Sequence, residues 1–79
     1  VVNSSVSIYP NPVGDRLNVV WEENIEWIEL TDFKGRVLKR FSVNALNALQ
    51  IDVTNYSGGV YFLNAISDEG KSIHSIIKD

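Results

Sequence analysis

Residues 27–43 read Trp27-Ile28-Glu29-Leu30-Thr31-Asp32-Phe33-Lys34-Gly35-Arg36-Val37-Leu38-Lys39-Arg40-Phe41-Ser42-Val43. Ile28 and Leu30 alternate with polar neighbours, the period of two of a strand with one buried face. Lys34-Gly35 predicts a tight turn, because glycine takes a positive φ at little cost. Residues 36–43 then return as a second strand. Val37, Lys39, Phe41 and Val43 are expected on one of its faces, Leu38 and Arg40 on the other. This hairpin is the clearest in the chain, and it sets the reading of the rest as short β runs between turn residues.

On the N-terminal side, Val6, Ile8 and Tyr9 form a run stopped by Pro10-Asn11-Pro12. Proline donates no hydrogen bond and pushes the residue before it toward extended backbone, so a strand ending in a rigid corner is expected. Leu17, Val19 and Trp21 alternate with Asn18, Val20 and Glu22, and Glu22-Glu23-Asn24 makes a polar turn. On the C-terminal side, residues 44–49 are expected as a loop, since a helix that short is marginal. A short strand follows at residues 49–53, a turn-rich corner at 54–59, and a β-prone strand at 60–66. Asp68-Glu69-Gly70-Lys71 turns the chain, and residues 72–77 close it. About seven short strands at this spacing predict an all-β fold, an Ig-like antiparallel β-sandwich. One domain is expected over residues 1–79, with residues 1–5 a loose linker from a parent protein.

A chain of 79 residues has room for one core, and 44% hydrophobic with 22% charged residues is ordinary for a folded domain. Cysteine is absent, so neither a disulfide nor a thiolate enters the chemistry. Seven Lys and Arg against ten Asp and Glu give a net charge of −3, which argues against nucleic acid and against anionic membrane surfaces. No apolar run reaches the ~20 residues that span a bilayer, so no membrane insertion is expected. No basic segment precedes an apolar one as in a signal peptide, so any such signal is expected upstream in a parent chain.

Candidate chemistry is sparse. His74 is the single histidine, and it is expected on the outer face of the last strand rather than in a catalytic triad. Asp15, Asp32, Asp52 and Asp68 sit at strand ends or turns, where their side chains satisfy nearby backbone donors. They do not form the dense cluster of a calcium loop. Gly58-Gly59 lacks the Lys-Ser/Thr context of a phosphate loop and reads as a turn. Trp21, Trp27, Tyr56 and Tyr61 are expected to fill the core or cover its ends rather than to stack sugars. No enzyme, cofactor or metal signature emerges.

Four blocks, in order, carry a resemblance. Val6-Ser7-Ile8-Tyr9-Pro10-Asn11-Pro12-Val13-Gly14-Asp15-Arg16-Leu17-Asn18-Val19 holds a YPNP element followed by Leu-x-Val. Asp32-Phe33-Lys34-Gly35-Arg36 holds an Asp-x-x-Gly-Arg hairpin core. Ile51-Asp52-Val53-Thr54 leads to Gly59-Val60-Tyr61. Lys71-Ser72-Ile73-His74-Ser75-Ile76-Ile77-Lys78 is a Lys-containing terminal strand. Over residues 6–78 the chain resembles the type A C-terminal sorting domains of the type IX (Por) secretion system of Bacteroidetes. The resemblance implies a non-catalytic signal domain that directs a larger cargo, N-terminal in the parent chain, across the outer membrane. It implies passage through the periplasm, recognition by the outer-membrane translocon, and removal by a sortase-type surface protease, with the cargo ending at the cell surface or outside. Within the match, Lys71 to Lys78 are the expected docking residues, with Gly35 and Gly59 shaping the display. Pro10 and Pro12 are expected to set a corner, Gly59 to relieve crowding, and Tyr61 to pack. The alternative reading is an Ig-like carbohydrate-binding or adhesion module of a secreted enzyme. The last strand is further expected at a sheet edge, where Ile73, Ile76 and Ile77 favour docking or weak self-association.

Overall fold

The alternating runs become seven strands: β1 (Ser7–Tyr9), β2 (Arg16–Val20), β3 (Trp27–Asp32), β4 (Val37–Ser42), β5 (Ala48–Asp52), β6 (Gly59–Ser67) and β7 (Gly70–Lys78). The computed structural model describes residues 6–79, and the linker expected at residues 1–5 lies outside the described residues. All strand pairings are antiparallel, in a three-stranded sheet ordered β1-β2-β5 and a four-stranded sheet ordered β4-β3-β6-β7. The result is an all-β sandwich in which β4 stays beside β3. In a constant-type Ig domain the fourth strand joins the other sheet.

Each strand turns one side chain in two toward the other sheet. Leu17 and Val19 of β2, Ile51 of β5, Ile28 and Leu30 of β3, Leu63 and Ala65 of β6, and Ile76 of β7 are all buried. Trp21, Val13, Val43 and Val53 close the ends of the same cluster. Burying a Leu or Ile side chain contributes about 1.5–3 kcal/mol, so this one core supplies the main favourable term of a domain with no disulfide. Lys39 ties the open side between the sheets: its Nζ donates to the Asp52 carbonyl at 3.1 Å and lies 5.7 Å from the centre of the Tyr56 ring. Trp21 is fully buried with its Nε1–H unpartnered.

The hairpin at residues 27–43 forms as expected, with one correction. Leu30 pairs with Lys39 but Thr31 pairs with Val37, so a β-bulge falls at Leu38. The extra residue reverses the alternation. Val37 therefore leaves the face of Lys39 and Phe41 and stands 50% exposed on the outside.

The last strand needs a second correction. Ile76 is buried opposite Tyr61, and the period of two then carries His74, paired with Leu63, to the same inner face. His74 is half-buried there and not on the outer face. Apolar residues at both parities, Ile73 and Ile77 against Ile76, made the facing of this strand ambiguous from sequence. The exposed apolar surface consists of Ile73 and Ile77 without Ile76.

Candidate functional site

The two outer faces of the sandwich differ. On the three-stranded sheet the outer positions are Ser7, Tyr9, Arg16, Asn18, Val20, Ala48, Gln50 and Asp52, and Gln50 Nε2 donates to Asn18 Oδ1 at 3.1 Å. That is the solvated face usual for an antiparallel sheet. The four-stranded sheet mixes apolar and polar positions on its outer face. Val60 lies beside Ile77; Val37, Thr31, Phe62 and Ser75 form the next row; Arg40, Glu29, Asn64 and Ile73 the third; Ser42, Trp27, Ile66 and Lys71 the fourth. Four of these apolar side chains are largely open to solvent: Val37 at 50%, Val60 at 44%, Ile73 at 60% and Ile77 at 51%. Of these, Val60 and Ile77 stand side by side across β6 and β7, and exposed apolar surface of this kind marks an interaction site. At its far end Arg40 stacks 3.9 Å from the Trp27 ring centre and pairs with Glu29 at 3.2 Å, so the carboxylate on this face is neutralised.

β7 borders the patch and is an edge strand, as expected from sequence. Edge strands carry unpaired backbone groups that invite another strand. Here half of the edge is closed from within the chain. The Ile77 N–H donates to Asn11 Oδ1 at 2.9 Å, and Asn11 Nδ2 donates to the Ser75 carbonyl at 3.2 Å. Next to it, the Val13 N–H donates to the Ile77 carbonyl at 2.8 Å and the Asp79 N–H to the Val13 carbonyl at 2.9 Å. The Asn11 amide thus imitates a peptide group of a neighbouring strand. The flanking residues Pro10 and Pro12 have no N–H to offer, which leaves this task to the Asn11 side chain. Toward its start, β7 turns the backbone groups of Lys71 and Ile73 to the same open side, by the alternation of the antiparallel ladder.

The other motif positions serve the frame. Asp32 Oδ1 accepts from the Lys34 and Arg36 N–H groups, each at 2.9 Å, and Oδ2 pairs with Arg36 Nε at 3.0 Å. These bonds, the Arg36 N–H foremost, hold the Asp32 carboxyl below its ordinary range. Gly35 closes the turn at φ 86°, its N–H donating to the Asp32 carbonyl at 3.0 Å. Asp52 accepts from the Thr54 hydroxyl and N–H, which lower its pKa and fix the corner after β5. Tyr61 packs its ring 5.8 Å from that of Tyr56, and its hydroxyl donates to the Ser57 carbonyl at 2.6 Å. Gly59 corrects an expectation. A Cβ there would meet nothing within 4 Å, and the position needs glycine for its φ of 149°; the crowded neighbour is Gly58, where a Cβ would lie 3.3 Å from the Asp79 backbone.

Little else on the surface offers chemistry. Ser72 Oγ and His74 Nε2 lie 3.1 Å apart on the inner side of β7. Burial keeps the His74 pKa below its ordinary value, against the opposing charge of Glu23. Nearby, Glu23, Glu69, Lys71 and Ser72 line an open groove of about 340 Å³ at the end of the sandwich. Among the described residues no group of three or more His, Asp or Glu side chains is placed to hold a metal. A void of about 10 Å³ beside Val13, Leu17 and Ile76 has room for about one water.

Residues 7–79 match the model of the secretion system C-terminal sorting domain. The chain belongs to this family. No curated protein matches it. As a sorting domain of type IX secretion, it marks a protein for export toward the cell surface or the extracellular space. In this sorting domain Tyr9-Pro10-Asn11-Pro12 guards the edge of β7, Asp32, Gly35 and Arg36 build the β3–β4 turn, and Asp52, Gly59 and Tyr61 shape the corner between β5 and β6. The expected docking residues divide by parity. Lys71, Ile73, Ser75 and Ile77 face outward, while Ser72, His74, Ile76 and Lys78 share the inner side. Sequence reasoning missed Val60, Phe62 and Val37 as neighbours of Ile73 and Ile77, and it missed the role of Asn11.

Proposed function

We propose that this sorting domain is read, while folded, by the outer-membrane translocon of the type IX system through the outer side of β7. Ile73 and Ile77, with Val60 and Phe62 beside them, form the contact, and Lys71 supplies a charge at its border. The observation that carries this reading is the set of large aliphatic side chains, Val37, Val60, Ile73 and Ile77, left open to solvent on the outer face of the four-stranded sheet. Ile and Val suit a strand, but large aliphatic side chains left open to water mark a site for a partner. The cargo precedes the domain in the parent chain and passes through the periplasm with it. A sortase-type surface protease then removes the domain upstream of β1.

The test compares two surface changes in a cargo–domain fusion expressed in a Bacteroidetes strain. Ile73→Lys with Ile77→Lys alters the apolar face; Asn18→Lys with Gln50→Lys adds the same charge to the polar face. Both pairs should leave the domain folded, and only the first should hold the cargo in the periplasm. Equal export of the two fusions would contradict the assignment of the face.

A further inference from the structure

One continuous segment serves both sheets. β1 pairs with β2 in the three-stranded sheet, whereas residues 11–13 lie along β7 of the four-stranded sheet. Val13 bridges Lys78 in the parallel sense, although the strands themselves all pair antiparallel. Four hydrogen bonds make this joint: Val13 N–H to the Ile77 carbonyl, Asp79 N–H to the Val13 carbonyl, Ile77 N–H to Asn11 Oδ1, and Asn11 Nδ2 to the Ser75 carbonyl. The parallel sense decides how the joint meets a pull. A tug on the chain entering β1 draws residues 11–13 toward their N-terminal side. A hold on the end of β7 draws that strand toward its C-terminal side. The two segments are then displaced in opposite directions along their lengths. Their hydrogen bonds lie across that displacement and are strained together, in shear. Strands parted at one end lose their bonds one at a time.

We propose that residues 11–13 and β7 form a tension clamp, which keeps the domain folded when the chain entering β1 and the end of β7 are pulled apart. Three further features support it. Val13 is fully buried with Leu17 and Ile76 around it, so the clamped segment cannot slide without emptying its place in the core. Pro10 and Pro12 fix φ on either side of Asn11, so the corner passes load on with little extension. Gly58 leaves room for the clamped end of the chain, because a Cβ there would lie 3.3 Å from the Asp79 carbonyl carbon. β1 itself adds only three residues paired with β2, so it gives way first and the load falls on the clamp. A cargo tethered ahead of β1 and a partner gripping β7 load the domain along this line. That use rests on the proposed sorting role, whereas the resistance is a property of the chain alone and is measured without a partner.

Optical tweezers on the 79-residue chain test this. The chain has no cysteine of its own, so DNA handles attach at chosen positions. Handles at Val1→Cys and Asp79→Cys load the clamp in shear. Handles at Val1→Cys and Lys71→Cys part β1 and β7 from one end, because Lys71 lies at the groove beside Glu23, three residues after the Val20 that pairs with Ser7. At one loading rate the first geometry should unfold at about twice the force of the second or more. Asn11→Ala removes two of the four bonds and should speed unfolding under a fixed end-to-end load by about tenfold or more, with the second geometry unchanged. Asn11→Asp keeps the acceptor for the Ile77 N–H but not the donor to Ser75, and should fall between. Gln50→Ala removes a side-chain bond on the other sheet and should change neither geometry. Equal forces in the two geometries overturn the shear. A folded Asn11→Ala chain that unfolds no faster end to end, or that is weakened equally in both geometries, overturns the clamp.

Discussion

Asp32 and Asp52 hold their loops as charged acceptors, and the sign of their pH dependence follows. Both carboxyls titrate below their ordinary value of 3.8 in the folded domain. The stability they contribute is present above that value and is lost as pH falls through it toward the lower folded pKa. His74 is also depressed, by burial, from an ordinary 6.5. Its contribution is complete above 6.5 and declines as pH drops toward its folded pKa. Thermal unfolding followed from neutral to acid pH should show a first loss below about pH 6.5 that His74→Gln removes. Asp32→Asn should be less stable than the parent at neutral pH, and the gap should narrow below the ordinary carboxylate pKa. Glycines separate in the same way. Gly59→Ala places a Cβ at φ 149° and should cost about 1–3 kcal/mol in urea denaturation. Gly14→Ala meets no atom within 4 Å and has no positive φ. It should be neutral or stabilise by up to about 1 kcal/mol.

At the scale of elements, the β3–β4 hairpin was legible because Ile28, Leu30 and Gly35 each point to the same local answer. Val37 was not, because a bulge shifts the period by one residue and nothing in the two runs announces it. The facing of β7 was hidden by isoleucines at both parities, and only its pairing with β6 decides it. The guard was hidden for a different reason. Asn11 meets Ser75 and Ile77 across 64 and 66 residues, a contact that local periodicity cannot express. Proline on both sides of one asparagine was the available signal, since it leaves a single polar side chain to do the work of a strand. Asn11→Ala should accelerate hydrogen exchange at the Ile77 amide by about tenfold, the loss of one ordinary hydrogen bond, while amides of β3 remain protected. Unchanged exchange at Ile77 would mean that Asn11 does not close the edge.

The whole molecule has little stability to spare. A domain of 79 residues is expected to hold about 4–12 kcal/mol, at ~0.05–0.15 kcal/mol per residue. Leu17→Ala empties a fully buried site and should cost about 2–5 kcal/mol, enough to populate unfolded chain at physiological temperature. Removing residues 71–79 has the same defect as a probe of sorting, because it strips Ile76 from the core and uncovers β6. Export is therefore best measured on the intact domain. A periplasmic reporter fused ahead of residues 1–79 should appear outside a Bacteroidetes cell with a working type IX translocon and stay in the periplasm without it. Retention of the folded fusion in both strains, or release from both, would contradict the sorting role.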